Sequence, residues 1–385
     1  MPGVLLLALL ELLLLELLLV AALLTLLASV VLWLSWACKA LAQERASVMA
    51  PEARMMMNGM AGIVAAVPAR HAHPGPAAAG DEPGARLAAR RRLLKSGLVA
   101  FTVAGCLPIS GCAWLVDKES QLALRPTPGR PARLAPDEQL FKAGDQRWLV
   151  PVTTVDGSVQ QLALWWLPQL EAGAPTLLYL HGTFRNLYQN LPKIDALRAL
   201  GFAVLAVDYR GWGDSTSIMP DEASITADAA VAWAELQRRQ PLAALRVVYG
   251  HSMGGAVAVR LAAGLQAGDI GALVLESTFT RMPDVAAAAG WFGRAVSWLT
   301  SLEFDSLTRI GHIKAPLLML HGAADTTVPV VLGRRLRDAA PAGVRWVEIP
   351  GGTHSRLHSD APGLYAEAFR TLLTQLQTRA AGNAG

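Results

Sequence analysis

The sequence predicts an α/β fold, a doubly wound and mostly parallel sheet with helices on both faces. From about residue 141, short apolar runs alternate with amphipathic helical patterns, and this alternation is typical of strand-helix-strand units. Several of the runs are apolar at every position, as strands buried on both faces of a parallel sheet are. A chain of 385 residues has ample length for the core that such a sheet needs.

Residues 1–89 are predicted to be a low-complexity extension that precedes this fold. Within it, residues 17–38 carry no charge and are long enough to span a bilayer, so they form a candidate transmembrane segment. Residues 39–89 are rich in Pro, Ala, Gly and Arg without sustained periodicity, which indicates disorder. His71 and His73 lie in this tract, where solvated side chains are the expectation and a metal site is the minor alternative.

Residues 90–112 have the layout of an export signal. Arginines at 90–92 and Lys95 precede a short apolar stretch that ends in small residues. The last four residues, from Ile109 to Cys112, resemble the lipobox of bacterial lipoproteins, and that resemblance implies a lipidated Cys112 at the mature N-terminus. The alternative is a plain transmembrane helix over 96–116. In both cases the positive-inside rule predicts that everything after residue 116 is exported.

The surroundings of this signal lead to further expectations. Because a signal peptide is normally N-terminal, the residues before about Leu87 are expected to be an over-extended gene model. Residues 113–140 contain several prolines and are predicted to be an extended tether.

All three cysteines lie at or before Cys112, so the chain beyond it folds without disulfides. The net charge of +4 comes without a basic, aromatic-rich patch in the C-terminal part, which argues against nucleic-acid binding.

Residues 141–378 are predicted to form the α/β domain, followed by a flexible tail at 379–385. Residues 279–304, with Trp291, Phe292 and Trp298, interrupt the alternation of strands and helices. They predict either a short cap over the site or an aromatic helix packed on the core. Strands are predicted at 161–167, 176–180, 203–207, 246–249, 272–275, 317–320 and 345–349. Helices are predicted at 192–200, 223–239, 255–265, 330–339 and 363–378.

The candidate nucleophile is Ser252, at the centre of Gly250-His251-Ser252-Met253-Gly254 and between a predicted strand and a predicted helix. A serine hydroxyl is a weak nucleophile, so catalysis requires it to be exposed at a sharp turn beside a base. Gly250 and Gly254 permit that turn because they lack a Cβ atom. The strand before Ser252 and the helix after it are the context that makes this pattern specific.

Functional side chains of such a sheet gather at the carboxyl ends of its strands. Asp325 and His354 each follow a later predicted strand. His354 is predicted to take the Ser252 proton, and Asp325 to orient the imidazole and stabilise its charged form. His358 is the alternative base, and Glu276 is the alternative acid.

An oxyanion also needs two converging backbone donors. The predicted donors are the amides of Met253, next to the nucleophile, and of Thr183, in the loop after an earlier strand. His181 and His321 each stand in a His-Gly pair at the end of a strand, where they are expected to organise the turn. Asp208 lies near the same rim and is expected to brace its loop.

Five motifs occur in a defined order: His181-Gly182-Thr183, Asp208 to Gly213, Gly250 to Gly255, His321 to Pro329 and Gly352-Thr353-His354. Between about 145 and 378 the chain therefore resembles the α/β-hydrolase family, and within it the serine-aminopeptidase or monoacylglycerol-lipase-like hydrolases. One departure is Thr183, where relatives often carry Asn. Because the donor there is the backbone N–H, the change need not abolish the oxyanion site.

Together these observations predict an exported, membrane-tethered serine hydrolase of the cell envelope that cleaves carboxylic esters or thioesters. The triad implied by the resemblance needs no metal or organic cofactor. The expected partners are a small ester or acyl substrate and the membrane. A serine-aminopeptidase-type peptidase and a non-catalytic binding protein of the same fold are the alternatives. The presence of Ser252, Asp325 and His354 argues against the binding protein, because binding alone does not require all three.

Overall fold

The computed structural model of the protein describes residues 119–382, with gaps at 172, 291–293, 295–296 and 298–299. The candidate transmembrane segment at 17–38 and the candidate export signal at 90–112, with Cys112, lie outside the described residues, as do His71 and His73. Within 119–382, no helix combines the length and the apolarity that crossing a bilayer would need.

Eight strands form one sheet, which confirms the predicted doubly wound, mostly parallel α/β architecture. The strands are β1 (Gln146–Thr153), β2 (Val159–Leu167), β3 (Thr176–Leu180), β4 (Ala203–Asp208), β5 (Arg246–His251), β6 (Ala272–Glu276), β7 (Leu317–Gly322) and β8 (Arg345–Ile349). Their order across the sheet is β1-β2-β4-β3-β5-β6-β7-β8. β2 pairs antiparallel with both β1 and β4, and the other neighbouring strands are parallel.

The connections between strands are mostly helical, as strand-helix alternation requires. The described helices are α1 (Asp137–Leu140), α2 (Leu187–Ala199), α3 (Glu222–Arg239), α4 (Met253–Ala263), α5 (Met282–Ala288), α6 (Leu307–Ile310), α7 (Val330–Asp338), α8 (Leu357–Asp360) and α9 (Pro362–Gly382). A short 3₁₀ turn, Ala243–Leu245, precedes β5.

Both faces of the sheet are covered by helices. Leu178 and Leu180 of β3 belong to an apolar cluster that α3, α4 and α7 complete. Leu177 and Tyr179 of the same strand belong to a second cluster, which α2 and α9 complete. Because side chains of a strand alternate between its faces, the continuous apolar run serves both clusters at once.

The strand register brings the carboxyl ends of the parallel strands together. Leu180 at the end of β3 lies opposite Gly250 of β5, and His251 of β5 lies opposite Glu276 at the end of β6. The ends of β7 and β8 are likewise aligned. The loops that follow these strands therefore start side by side, at the edge where open α/β sheets hold their functional groups.

The sequence does not predict β1, the outermost strand. Its residues alternate between exposed and half-buried positions, and Pro151 lies within it. Proline cannot donate to a neighbouring strand, so it is tolerated at an edge but argues against a central strand. β1 pairs only with β2, which itself begins at Val159 rather than at the predicted residue 161.

Two helices extend four or more residues beyond their predicted bounds. Proline is common at the first position of a helix, and the sequence predicts a helix that starts at Pro192. In the structure Pro192 lies inside α2, which begins after Asn186. The Asn186 N–H is satisfied by the Gln189 side chain at 3.3 Å. At the C-terminus, α9 continues to Gly382, into the predicted flexible tail.

Residues 119–140 pack against the α/β domain, whereas the sequence predicts an extended tether over 113–140. Leu124 is fully buried in the core. The Gly129 N–H donates to the Gly213 carbonyl at 2.7 Å, and the Gly213 N–H donates to the Thr127 carbonyl at 3.0 Å. A proline-rich segment keeps its carbonyl acceptors, so it can lie extended on a surface as readily as in solvent.

The predicted cap at 279–304 is described in part. It contains α5, and the chain returns to the core at Leu302 and Phe304, both of which are buried. Trp291, Phe292 and Trp298 lie outside the described residues. The choice between a cap and a packed aromatic helix stays a prediction.

Candidate active site

The turn between β5 and α4 presents Ser252. Ser252 has φ 55° and ψ −120°, a backbone conformation that residues other than glycine rarely adopt. Its N–H donates to the Glu276 carbonyl at 2.9 Å, and its own carbonyl accepts from the Gly255 N–H at 2.9 Å. Strained backbone of this kind persists only where the surroundings hold it, and it is concentrated at functional sites.

Glycine is required on both sides of Ser252. A Cβ atom at Gly250 would overlap the Gly254 carbonyl, and a Cβ atom at Gly254 would overlap the Leu180 carbonyl of β3. At Gly182, in the loop after β3, an added Cβ atom would lie 3.1 Å from the Ser252 Cβ. These contacts allow α4 to begin directly against the sheet and bring the β3 loop beside the nucleophile.

The predicted nucleophile, base and acid lie in one hydrogen-bonded series. His354 Nε2 lies 3.0 Å from Ser252 Oγ, and His354 Nδ1 lies 2.7 Å from Asp325 Oδ2. Because a carboxylate only accepts, Nδ1 is the donor, and the Nε2 lone pair faces the serine hydroxyl. The His354 side chain is 15% exposed, so the base remains open to solvent.

Asp325 is held as an acceptor. Its Oδ1 accepts the backbone N–H groups of Thr327 at 2.9 Å and Val328 at 2.8 Å. Burial by itself raises the pKa of the Asp325 carboxyl. The nearby His321 ring, with Nε2 3.5 Å from Asp325 Oδ2, and the hydrogen bonds from His354 and the backbone outweigh burial and hold the pKa of Asp325 below its usual value. Asp325 therefore stays charged where the imidazole needs a counterion.

His251 is a site residue that the sequence reasoning missed. Its Nε2 donates to the His354 carbonyl at 2.9 Å, and the two imidazole rings lie 5.0 Å apart. Burial, together with the charge of Lys193, lowers the pKa of His251 well below its usual value. The neutral ring therefore fixes the loop that carries the base. Its only signal in the sequence is its place directly before Ser252.

The predicted oxyanion donors flank the nucleophile. Met253 is the first residue of α4, and Thr183 lies in the loop after β3. Within the described part of the chain, neither backbone N–H donates to an acceptor. The next amide, that of Phe184, is occupied, because it donates to the Leu124 carbonyl at 3.3 Å. Two free amides beside a nucleophile can stabilise a developing negative charge.

Glu276, the alternative acid, belongs to a buried polar cluster on α2, β5, β6 and α9. Lys193 Nζ donates to Glu276 Oε1. The Tyr249 and Tyr365 hydroxyl groups donate to Glu276 Oε2 at 2.6 Å and 3.1 Å. With its carboxylate occupied in this way, Glu276 contributes to the site through its backbone carbonyl, which holds the Ser252 N–H.

The other histidines of the motifs take supporting positions. His358, the alternative base, packs beside Tyr365, with ring centroids 6.2 Å apart. His321 Nε2 donates to the Val328 carbonyl at 2.8 Å, in the loop that carries Asp325. The ring of His181 packs against Tyr209 at 4.6 Å.

Asp208 braces the loops around it. Its Oδ1 accepts the Leu187 N–H at the start of α2 at 2.9 Å, and its carbonyl accepts the Ser215 hydroxyl at 2.6 Å. Among the residues that the structure describes, no group of three or more His, Cys, Asp or Glu side chains is arranged to hold a metal ion.

Comparison with known proteins finds relatives of this part of the chain. Residues 174–309 match the family described as serine aminopeptidase, S33. An uncharacterized protein of Mycobacterium tuberculosis is 33% identical over 229 residues, which are 59% of this chain and 79% of that protein. The lysophosphatidylserine lipase ABHD12 of Danio rerio is 32% identical over 197 residues, and the match covers 46% of this chain and 50% of the lipase. The chain thus spans half the length of that lipase.

Solved structures share the fold. An esterase of Pyrococcus furiosus superposes with a TM-score of 0.51 at 22% identity, over 65% of this chain and 97% of the esterase. At this level of identity, the likeness concerns the fold alone.

Proposed function

This chain belongs to the α/β-hydrolase family, and on that premise we propose that it is a serine hydrolase that cleaves carboxylic esters or thioesters through an acyl-enzyme on Ser252. The observation that best supports the proposal is the contact of His354 with Ser252 Oγ at 3.0 Å and with Asp325 at 2.7 Å. A serine becomes a nucleophile only with such a base beside it.

In the acylation step, Ser252 Oγ attacks the acyl carbon while His354 Nε2 takes the hydroxyl proton. The carbonyl oxygen becomes negatively charged and accepts hydrogen bonds from the Met253 and Thr183 amides. When the tetrahedral species collapses, the acyl–oxygen or acyl–sulfur bond breaks, and His354 returns its proton to the leaving alcohol or thiol. Asp325 stabilises the imidazolium between these two proton transfers.

In the deacylation step, water takes the place of the alcohol. His354 removes a proton from the water as it attacks the acyl carbon, and then returns that proton to Ser252 Oγ. The carboxylic acid leaves, and the enzyme is regenerated. The same base and the same two amides act in both halves of the reaction.

Lipid esters are the substrate class that the relatives favour, because the Danio rerio relative is named a lysophosphatidylserine lipase. The description of the matching family, serine aminopeptidase, favours a second candidate, the removal of N-terminal residues from peptides. Both reactions form an acyl-enzyme, and they differ in the acyl group, fatty acyl or aminoacyl, and in the leaving group, alcohol or amine.

The test is fluorophosphonate labelling of the full chain in detergent, beside Ser252→Ala and His354→Ala. We expect labelling that both substitutions abolish. Turnover is measured on p-nitrophenyl esters of several chain lengths, a lysophospholipid and aminoacyl p-nitroanilides. Hydrolysis of the anilides alone would favour the peptidase. A chain that circular dichroism shows to be folded but that neither labels nor turns over any substrate would contradict the proposal and favour a non-catalytic binding protein.

We further propose that the hydrolase domain is exported and tethered to the membrane of the cell envelope. The layout of residues 90–112 supports this. A globomycin-sensitive mass shift that Cys112→Ala removes and Cys106→Ala retains would support lipidation. Membrane retention without the shift would support the plain helix at 96–116. Recovery of the full chain in the cytosolic fraction would contradict both.

A further inference from the structure

Residues 119–130, which we call the lead segment, run along the rim of the candidate site. Its composition predicts a tether, with prolines at 126 and 128. In the structure, Leu124 is fully buried in the same apolar cluster as Met253, the residue after the nucleophile. The segment is therefore part of the packed domain. Its contacts fall on the loop that carries Thr183, on the loop after β4 and on the end of the predicted cap.

The first contact is with the loop that carries Thr183. The Leu124 carbonyl accepts the Phe184 N–H at 3.3 Å. The Arg125 guanidinium lies 4.8 Å from the centre of the Phe184 ring, a cation–π distance. Phe184 has φ 71°, in the left-handed region that side chains disfavour. A residue in that conformation needs stabilising contacts. The lead segment provides them through the hydrogen bond to the Phe184 backbone and the cation–π contact with its ring.

The second contact joins the start of α2 to the loop after β4. The Asn186 side-chain amide, 1% exposed, donates to the carbonyls of Thr127 at 3.1 Å and Gly129 at 2.8 Å. The same stretch exchanges two backbone hydrogen bonds with Gly213. Thr183 thus lies in a loop whose following residues, Phe184 and Asn186, are both bound by the lead segment.

The third contact is with the end of the predicted cap. Glu119 accepts the Ser301 N–H at 2.9 Å and the Ser301 hydroxyl at 2.6 Å. The segment is consequently fixed at its first residue as well as along its length.

We propose that the lead segment positions the Thr183 amide for the oxyanion, and so belongs to the active site. This proposal rests on the proposed serine-hydrolase function. The Phe184 amide donates to the Leu124 carbonyl, whereas the Thr183 amide donates to no acceptor within the described residues. When the segment is released, the loop is free to rotate and the Thr183 N–H no longer points at a fixed place. Preorganised donors of this kind stabilise the transition state more than the bound substrate.

The test compares two glycines of the same kind in the full chain. Gly129 and Gly157 both have positive φ, 75° and 80°, and an added Cβ atom would meet nothing within 4 Å at either. A valine therefore introduces similar backbone strain at both positions, but only Gly129→Val strains the lead segment. Asn186→Asp weakens the same contact from the α2 side, because a carboxylate cannot donate to the two lead-segment carbonyls that the Asn186 amide binds. Gln169→Glu is its control, because the Gln169 side-chain amide also donates to two backbone carbonyls, at 2.6 Å and 2.8 Å, but near the C-terminal end of α2 and away from the lead segment.

The readouts are hydrogen exchange at the Phe184 and Gly213 amides, kcat and KM on a soluble p-nitrophenyl ester, and Ki for a boronic acid that forms a tetrahedral adduct on Ser252. We expect Gly129→Val and Asn186→Asp to increase exchange, to lower kcat about tenfold to a hundredfold and to raise Ki in parallel, with little change in KM. Gly157→Val and Gln169→Glu should resemble the wild type in exchange at these two amides, in kcat and in Ki.

Faster exchange with kcat and Ki within twofold of the wild type would overturn the proposal. Unchanged exchange in both variants would also overturn it, because these contacts would then not hold the segment. Failure of the wild type itself to label or turn over would instead overturn the proposed function, and this inference with it.

Discussion

His354 and His358 lie four residues apart, and their surroundings give them different roles. His354 contacts both Ser252 and Asp325, whereas His358 packs beside Tyr365. We expect His354→Gln to lower kcat by about four orders of magnitude, since glutamine cannot accept and return the proton. His358→Gln should leave kcat close to the wild type. Steady-state turnover of a p-nitrophenyl ester measures both, and similar losses in the two variants would contradict the assignment of the base.

At this scale, the residues that can be predicted are those that follow strands. Ser252, Asp325 and His354 each come directly after a recognisable apolar run, so their convergence follows from the sheet. Lys193 follows no such rule. A lysine in a helix is expected to be exposed. The burial of Lys193 depends on Glu276, which is distant in sequence and meets it only in the folded structure. Contacts of that kind leave no local pattern.

The turn between β5 and α4 depends on glycines that a methyl group would disrupt. In Gly254→Ala the added Cβ would overlap the Leu180 carbonyl. Backbone cannot move aside as a side chain can, so we expect a loss of roughly 3 kcal/mol in the free energy of unfolding. Gly264→Ala, at the other end of α4, is the control. Its nearest neighbour, the Leu261 carbonyl oxygen, would lie 3.4 Å away, and its φ is −85°.

We expect Gly264→Ala to be as stable as the wild type or more stable by up to about 1 kcal/mol, because alanine restricts the unfolded chain. Urea unfolding followed by circular dichroism measures both variants. Equal stability of Gly254→Ala and Gly264→Ala would show that the turn tolerates a side chain, contrary to the close approach of α4 to β3.

The ion pair of Lys193 and Glu276 joins α2 to β6 within the core. Burial lowers the pKa of Lys193, and the Glu276 carboxylate opposes that effect. Lys193→Met leaves an unpaired buried carboxylate, and we expect it to reduce the free energy of unfolding by about 3–5 kcal/mol. In Lys193→Met/Glu276→Gln no charge remains, and the amide oxygen still accepts from Tyr249 and Tyr365. The double variant should recover most of that loss in urea unfolding; no recovery would mean that the lysine contributes by packing alone.

Elements were predictable where they are buried. The parallel strands are mostly apolar, and their predicted bounds agree with the structure to within two residues. β1 is an edge strand in which five of eight residues are exposed, so its sequence shows only a weak hydrophobic pattern. The sequence does not predict the start of α2, because Pro192 lies inside this helix, and proline is rare in helix interiors. Edge strands and helices that contain proline depend on tertiary contacts, and the hydrophobic periodicity of the sequence carries no information on such contacts.

At the scale of the whole molecule, the sequence predicts the domain but not its N-terminal limit. Residues 119–140 have the composition of a linker, and several of their hydrogen bonds with the domain are accepted by backbone carbonyls, those of Leu124, Thr127 and Gly129. Every residue has a carbonyl, so such contacts are invisible in composition. The sequence therefore does not distinguish the lead segment from a true tether, whereas its contacts in the folded structure do.

The buried histidines give the whole molecule a predictable response to acid. Burial lowers the pKa of His181 to about 4, although its contact with the Gly182 carbonyl opposes the effect. Between about pH 6.5 and pH 4, the unfolded chain therefore binds a proton that the folded chain does not. The contribution of His181 to stability is fully present above pH 6.5 and is lost as the pH falls through that range. The size of the loss is about 3 kcal/mol.

Other groups titrate in the same range. His251 acts in the same direction as His181, and burial raises the pKa of Asp228 to about 6, which acts in the opposite direction. A difference between variants removes the effects of titrating groups that do not contact His181. We expect the free energy of unfolding of the wild type to fall by about 3 kcal/mol more than that of His181→Asn between pH 6.5 and pH 4. His312→Asn, at an exposed position, is the control. Urea unfolding at several pH values measures the difference, and parallel curves for wild type and His181→Asn would mean that water or a partner reaches the ring.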